Sequence, residues 1–357
     1  MKTAVFRKAI AVSIIAAVIL TVSGCGGSQS AQKPAEAPKP AEAPKPAPKP
    51  QKITIKIAHV VDPSHHYQIA ALKFKELIEK KTDGKVEVQA FPNSQLGSER
   101  AILEGLQMGS IEMGIITSGS LANFVPEFAV LDLGYLFKDV DEAMKVIDGP
   151  VGQELAKKMS AVGIRRLGTM RYGFRSVYAH KPIKAPADLK GMKIRTMENP
   201  AHLAIFKALG ASPLPMAYGE LYTALQQKVV DGAENLMDLY CNSKHYEVAK
   251  YYSLTNHVYC IVMWMVSEKA LAKMPEDVQK AIVDSTKEAL VFENDLILKQ
   301  MADSKKKLIE AGVVIIEPDI APFRQIVKAS WMDVARKISG GEDLLKKVAA
   351  EIGVTVK

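Results

Sequence analysis

Apolar and polar residues alternate with a period of two from Ile53 to His59, and this alternation predicts a strand. A turn at Asp62-Pro63-Ser64 then opens a helix that runs to about Lys81, with Gly84 beyond its end. Val86 to Phe91 is a second strand. Ser98 caps a helix over Glu99 to Met108, closed by Gly109, and Ile111 to Thr117 is a third strand. Strand and helix alternating at this spacing predict βαβ units in a mostly parallel sheet. Ligands of such sheets bind beyond the carboxyl ends of the strands. The loops after His59, Phe91 and Thr117 are therefore candidate pocket walls.

Further along, helices are predicted over Asp139–Ile147 and Val151–Ala161, and strands over Ile164–Met170, Tyr172–His180, Met192–Thr196 and Val229–Glu234. Asn199-Pro200 starts a helix that Gly210 ends, and Tyr222 to Lys228 is helical. A helical segment follows Asn235 to about Ala249. Val258 to Ser267 reads as one long apolar strand. From Pro275 to Ala311 the pattern stays helical, with no Gly and no internal Pro after the start. At 1.5 Å per residue that segment would span about 54 Å, wider than one lobe of ordinary size, so it must reach from one lobe to another. Helices over Ala321–Ile338 and Glu342–Ile352 finish the chain.

The first fifty residues obey none of these patterns. Lys2, Arg7 and Lys8 precede an apolar run from Ala9 to Val22, too short for a comfortable membrane span and suited to a secretory leader. The run ends in Val22-Ser23-Gly24-Cys25, which resembles a bacterial lipobox and makes Cys25 the expected lipidated N-terminus. The Pro-Ala-Glu-Ala-Pro-Lys repeat that follows has no apolar period. Its residues from Lys33 to Pro50 favour extended polyproline II, a stalk of about 55 Å. Residues 1–24 are thus the expected leader, and 25–50 a lipid-bearing linker with the membrane as its partner.

Charge narrows the function classes. The 357 residues carry a formal +8, but Lys2, Arg7, Lys8, Lys33, Lys39, Lys45 and Lys49 against Glu36 and Glu42 account for +5 of it. That leaves +3 for residues 51–357, with no basic helix carrying interleaved aromatics, so a nucleic-acid partner is not expected. No Gly-x-Ser-x-Gly, His-Glu-x-x-His or phosphate loop is present, and Glu127 and Asp132 are the nearest thing to an acid/base pair. No enzyme, cofactor or metal is predicted. Cys241 and Cys260 lie on apolar elements and are expected as buried thiols.

Several motifs occur in order: Asn93-Ser94-Gln95-Leu96-Gly97, Asp188-Leu189-Lys190-Gly191-Met192-Lys193-Ile194-Arg195, Leu209-Gly210-Ala211-Ser212-Pro213, Val230-Asp231-Gly232-Ala233-Glu234-Asn235, Tyr246-Glu247-Val248 and Leu254-Thr255-Asn256-His257. Together, over about residues 53–320, they resemble the dicarboxylate-type substrate-binding proteins of TRAP transporters. The resemblance implies an α/β fold of the two-lobe periplasmic-binding-protein type, with a double hinge crossing and a long helix spanning both lobes. Residues 51–172 with 261–300 would form one lobe, 173–260 with 301–340 the other, and 341–357 a C-terminal helix. It also implies an extracytoplasmic protein that delivers a small carboxylate to an ion-gradient-driven permease. The acid stays open among C4-dicarboxylates, 2-oxo acids, aromatic acids and sugar acids. A lipoprotein that senses its ligand and docks on a signalling receptor is the alternative.

Arg195 matches the family arginine that grips the ligand carboxylate, and a planar guanidinium suits that task by offering two parallel charged hydrogen bonds. Asn235 matches an asparagine beside that grip, Arg175 a second arginine, and Tyr218 an aromatic that packs on the ligand. Glu99 matches an acidic position that accepts ligand hydroxyls. Thr117 and Ser118 fall where the sialic-acid branch has a Glu, and Ser120 where it has an Arg, which speaks against sialic acid. His59, with His65 and His66 nearby, is placed on a pocket loop. Arg171 is a weaker candidate, and Trp264 is expected in a strand core.

Overall fold

The period-two alternation at Ile53 produces β1 (Ile53–Ala58), one of eleven strands that form two separate sheets among the described residues. The structure, a computed structural model, describes residues 52–356. The leader, the lipobox Cys25 and the Pro-rich stalk lie outside the described residues.

One sheet holds β2 (Val86–Phe91), β1, β3 (Met113–Thr117), β10 (Val262–Ser267) and β4 (Ile164–Thr169), side by side in that order. β1 pairs parallel with β2 and β3, as the βαβ reading predicts, while β10 runs antiparallel between β3 and β4. The other sheet has the order β11 (Val314–Ile316), β9 (Tyr251–Tyr259), β5 (Phe174–Ala179), β8 (Gly232–Asn235), β6 (Lys193–Thr196) and β7 (Ser212–Pro215). Here β6 is parallel to β7 and β8, and β5 is antiparallel to β8 and β9. The chain changes sheet three times: between β4 and β5, between β9 and β10, and between β10 and β11 by way of the long helix. The first two are the double strand crossing of a two-lobe α/β fold.

The second crossing corrects the sequence reading. Val258 to Ser267 is two strands, broken at Cys260-Ile261, where Cys260 N–H donates to Gly173 O at 2.8 Å and Ile261 O accepts from Ser118 N–H at 2.9 Å. All ten residues are buried. A segment buried throughout keeps one apolar pattern even where its hydrogen-bonding partners change, so no polar interruption marks the hinge. Other departures are smaller. The helix after Asn235 stops at Asn242, because Lys244 takes a left-handed φ of +55°. The predicted Ala321–Ile338 helix is two, Ala321–Lys328 and Trp331–Ala335, and β7 and β11 were not predicted as strands.

The long helix is continuous from Glu276 to Glu310, 35 residues. It packs against the helix His66–Lys81 beside the first sheet and against the helix Met237–Asn242 beside the second. Its buried residues, among them Val278, Ile282, Ala289, Glu293, Ile297 and Leu308, run the whole length. Among the described residues, no helix is long and apolar enough to cross a membrane.

Candidate functional site

The carboxyl ends of strands from both sheets converge on one cleft of about 760 Å³, open to solvent. The first lobe supplies Val60 and Val61 after β1, Ser98, Glu99 and Arg100 at a helix start, Thr117 at the end of β3, and Ser120 and Asn123 after it. The second lobe supplies Arg195 from β6 and Met197 just after it, Met216 and Tyr218 after β7, and Asn235 at the end of β8. Short parallel strands bring these together because β6 lies between β7 and β8.

Arg195 is 3% exposed. Its Nε and Nη2 both donate to the Met216 carbonyl, at 2.9 and 2.6 Å. Among the described residues no carboxylate stands within salt-bridge distance of it. Burial accordingly pulls its pKa below the usual guanidinium value. Its Cζ lies 5.9 Å from the centre of the Tyr218 ring, and the Tyr218 hydroxyl is held by Ser243 Oγ at 2.6 Å. The result is a buried cation backed by an aromatic face and open to the cleft.

Arg175 also borders the cleft, but its charge is already matched. Its Nε and Nη2 grip both oxygens of Glu234, and Nη1 reaches Cys260 Sγ at 3.4 Å. Burial alone would disfavour this guanidinium's charge; the Glu234 carboxylate outweighs that and raises its pKa well above the usual value. Glu234 is held well below the usual carboxylate range, with burial opposed by Arg175 first and then by His202 and His257. The pair is therefore ionised. Sequence reading did not identify Glu234 as the partner, since it is 59 residues away and only the β5–β8 pairing brings it close.

Asn235 lines the cleft, with its Oδ1 accepting the Leu236 N–H at 3.0 Å. Glu99 faces it from the other lobe. Its Oε1 accepts Thr117 N–H at 3.0 Å, and its Oε2 accepts the hydroxyls of Thr117, at 2.7 Å, and Ser120. Two expectations fail. Ser118 does not line the cleft: it follows Thr117 directly, turns the other way and donates to Asp132 Oδ1 at 2.7 Å. His59 is also turned away, its Nε2 3.0 Å from Gln68 Oε1, and Val60 and Val61 form that wall instead. Glu127 and Asp132 do not act together; Glu127 pairs with Lys158, and Asp132 accepts from Ser118 and Asn199. Arg171 pairs with exposed Asp141, and Trp264 is fully buried in its strand. Cys241 and Cys260 are both buried free thiols.

The matched family is described as bacterial extracellular solute-binding protein, family 7, and its match covers residues 57–337. The chain belongs to that family. Among its relatives, the C4-dicarboxylate-binding periplasmic protein DctP of Rhodobacter capsulatus is 33% identical over 311 residues, covering 86% of this chain and 91% of the relative. A TRAP periplasmic solute-binding protein of a Polaromonas species, solved bound to D-erythronate, superposes with a TM-score of 0.80 at 35% identity, covering 86% of this chain and all of that one. One from Roseobacter denitrificans, with bound L-galactonate, superposes at 0.79 with 32% identity, covering 84% and 99%. The TRAP solute-binding family expected from the motifs is thus the family of this chain, and its two-lobe fold is theirs.

His65 and His66 belong to a second buried cluster within this family fold. Tyr172 Oη donates to Asp238 Oδ2 at 2.6 Å, His65 Nε2 lies 3.2 Å from the same oxygen and His66 Nε2 3.5 Å from it. His66 Nδ1 meets Glu293 Oε1 at 2.8 Å, and Trp264 donates to Glu293 Oε2 at 3.0 Å. The three residues His65, His66 and Asp238 have the chemistry of metal ligands. Yet His65 Nδ1 accepts the Tyr67 N–H, which leaves the ring proton on Nε2, facing Asp238. That proton placement describes a hydrogen-bonded cluster in which His66 lies between the carboxyl groups of Asp238 and Glu293, which raise its pKa against the effect of burial.

Proposed function

We propose that this chain is an extracytoplasmic lipoprotein, anchored at Cys25, that closes two lobes over a small organic acid and delivers it to an ion-gradient-driven TRAP permease. Arg195 grips the carboxylate; Tyr218 and Asn235 flank it; Arg175, neutralised by Glu234, adds a donor but no net charge; Glu99 and Thr117 contribute from the other lobe. The observation that carries this reading is Arg195 itself. A guanidinium 3% exposed, with a carbonyl as its partner and an open cleft beside it, has an unmet need for an anion. The organic acids carried by the relatives described above support it.

The lobes also touch across the cleft. Arg100 Nη1 reaches Glu198 at 3.7 Å, Asn123 Nδ2 donates to Glu198 O at 2.9 Å, and Asn199 Nδ2 donates to Asp132 Oδ2 at 2.9 Å. Contacts of this kind stabilise a closed arrangement, and a ligand touching both walls would bias the lobes toward it. Isothermal titration with small carboxylates is the test. Arg195→Ala should weaken binding at least ~30-fold, about 2 kcal/mol for a buried charged pair. Unchanged affinity would remove Arg195 from the site.

A further inference from the structure

Among the described residues, ten buried side-chain polar atoms have no hydrogen-bond partner, and only one of them, Tyr67 Oη, belongs to a residue that lines the cleft. A buried phenol ordinarily finds an acceptor. Tyr172 donates to Asp238, Tyr240 to the Ala249 carbonyl and Tyr252 to the Asn235 carbonyl, at 2.6, 2.6 and 2.9 Å. Tyr135, the other buried phenol without a partner, lies outside the cleft.

Packing holds the Tyr67 ring where it is. The residue stands in the first turn of the helix His66–Lys81 and is 2% exposed. Its ring meets those of His65 and His66 edge-on, with centroids 4.6 and 4.9 Å away, and has His59 and Tyr172 at 6.0 and 6.3 Å. A ring packed on several sides cannot swing to another acceptor, so its hydroxyl is a preorganised donor. Glu99, on the same lobe, takes its protons from Thr117 and Ser120 instead. Burial raises the phenol's pKa well above its usual value, and Cys260 and Glu99 add to the effect. Tyr67 therefore keeps its proton across the neutral range.

We infer that Tyr67 is a ligand-contacting residue, whose hydroxyl donates to an oxygen of the acid that Arg195 grips; this rests on the Arg195 reading above. Tyr67 belongs to the first lobe and Arg195 to the second. An acid that accepts from both ties the lobes together, so the contact favours closure as well as affinity. In the ligand-free protein the donor is unmet and destabilises the fold; in the complex it is met. Affinity and intrinsic stability should thus respond to its removal in opposite directions.

Tyr67→Phe removes the hydroxyl and leaves the ring. The full-length protein is titrated calorimetrically with D-erythronate, L-galactonate and succinate, and melted without ligand. Whichever acid binds the parent most tightly should lose at least ~5-fold, the value of about one hydrogen bond. The ligand-free variant should melt no lower than the parent. A phenol that only supports the fold gives the reverse, a lower melting temperature with affinity kept. Unchanged affinity, or a fall in the ligand-free melting temperature, overturns the inference. Arg195→Ala separates the two readings. An acid whose binding is lost in Arg195→Ala but unchanged in Tyr67→Phe leaves the carboxylate grip standing and removes Tyr67 from the site; if none of the three acids binds the parent, the grip falls and Tyr67 with it.

Discussion

Arg175 and Glu234 form a two-pronged ion pair beside the cleft, their side chains 4% and 0% exposed. Removing one partner of such a pair leaves the other charge buried and unmatched. Glu234→Gln, nearly equal in shape, should lower unfolding stability by about 3–5 kcal/mol, read from urea denaturation. Arg175→Met with Glu234→Gln should recover part of that loss, because the double change leaves no orphan charge. A Glu234→Gln protein as stable as the parent would mean the pair is not ionised.

Buried histidines set an acid limit. Burial holds His59 and His65 at about 4 and His245 at about 3, against an ordinary 6.5. Between pH 6.5 and those values the unfolded chain binds more protons than the folded one. Stability from these groups is complete above pH 6.5 and falls as pH drops, by about 1.4 kcal/mol per pH unit for each group still neutral in the fold. His66 acts in the opposite sense: its pKa is raised by Asp238 and Glu293 against the effect of burial, so its contribution is present below 6.5 and fades as pH rises through the folded value. Burial lowers His257 as well, so with four groups against one the melting temperature should fall steadily from pH 7 to pH 4. A flat profile across that range would contradict the burial of these rings.

Contacts between the lobes should differ sharply in weight. Asn199 caps the helix Pro200–Ala208 through Oδ1, to the N–H groups of Ala201 and His202, while its Nδ2 satisfies buried Asp132. Asn199→Ala removes a cap and leaves a buried acceptor short, about 2–3 kcal/mol in denaturation. Arg100 is mostly exposed, and Arg100→Ala should cost under ~1 kcal/mol. Equal costs would mean that the buried network does not hold the lobes.

Gly152 tests backbone packing. A Cβ there would sit 1.7 Å from the Ile147 carbonyl oxygen, where the helices Val140–Asp148 and Pro150–Ala161 meet. Gly152→Ala should destabilise by about 1–3 kcal/mol or more, because the obstacle is backbone and cannot rotate aside. Thermal melting near that of the parent would show that the junction yields.

Much of the site was legible locally. Arg195, Tyr218, Asn235, Glu99 and Thr117 all line the cleft, since each follows a strand end or helix start that apolar periodicity and capping residues mark. His59 and Ser118 were misplaced for one reason. A residue at a strand end is easy to locate along the chain, but which side it faces depends on the next turn and on what packs there, Gln68 for one and Asp132 for the other.

Taken alone, the sequence determined the alternation of strands and helices, the uninterrupted helix that reaches both lobes, and the family. These depend on periodicity, glycine and proline signals and ordered motifs, all of them short-range information. Tertiary structure alone decided which charge is free. Arg175 and Arg195 look alike in the chain, each an arginine on a strand. β5 pairs with β8 and presents Arg175 to Glu234, whereas β6 directs Arg195 to a carbonyl and the cleft. An ion pair depends on distance in space, and strand order sets that distance; local pattern carries no record of it.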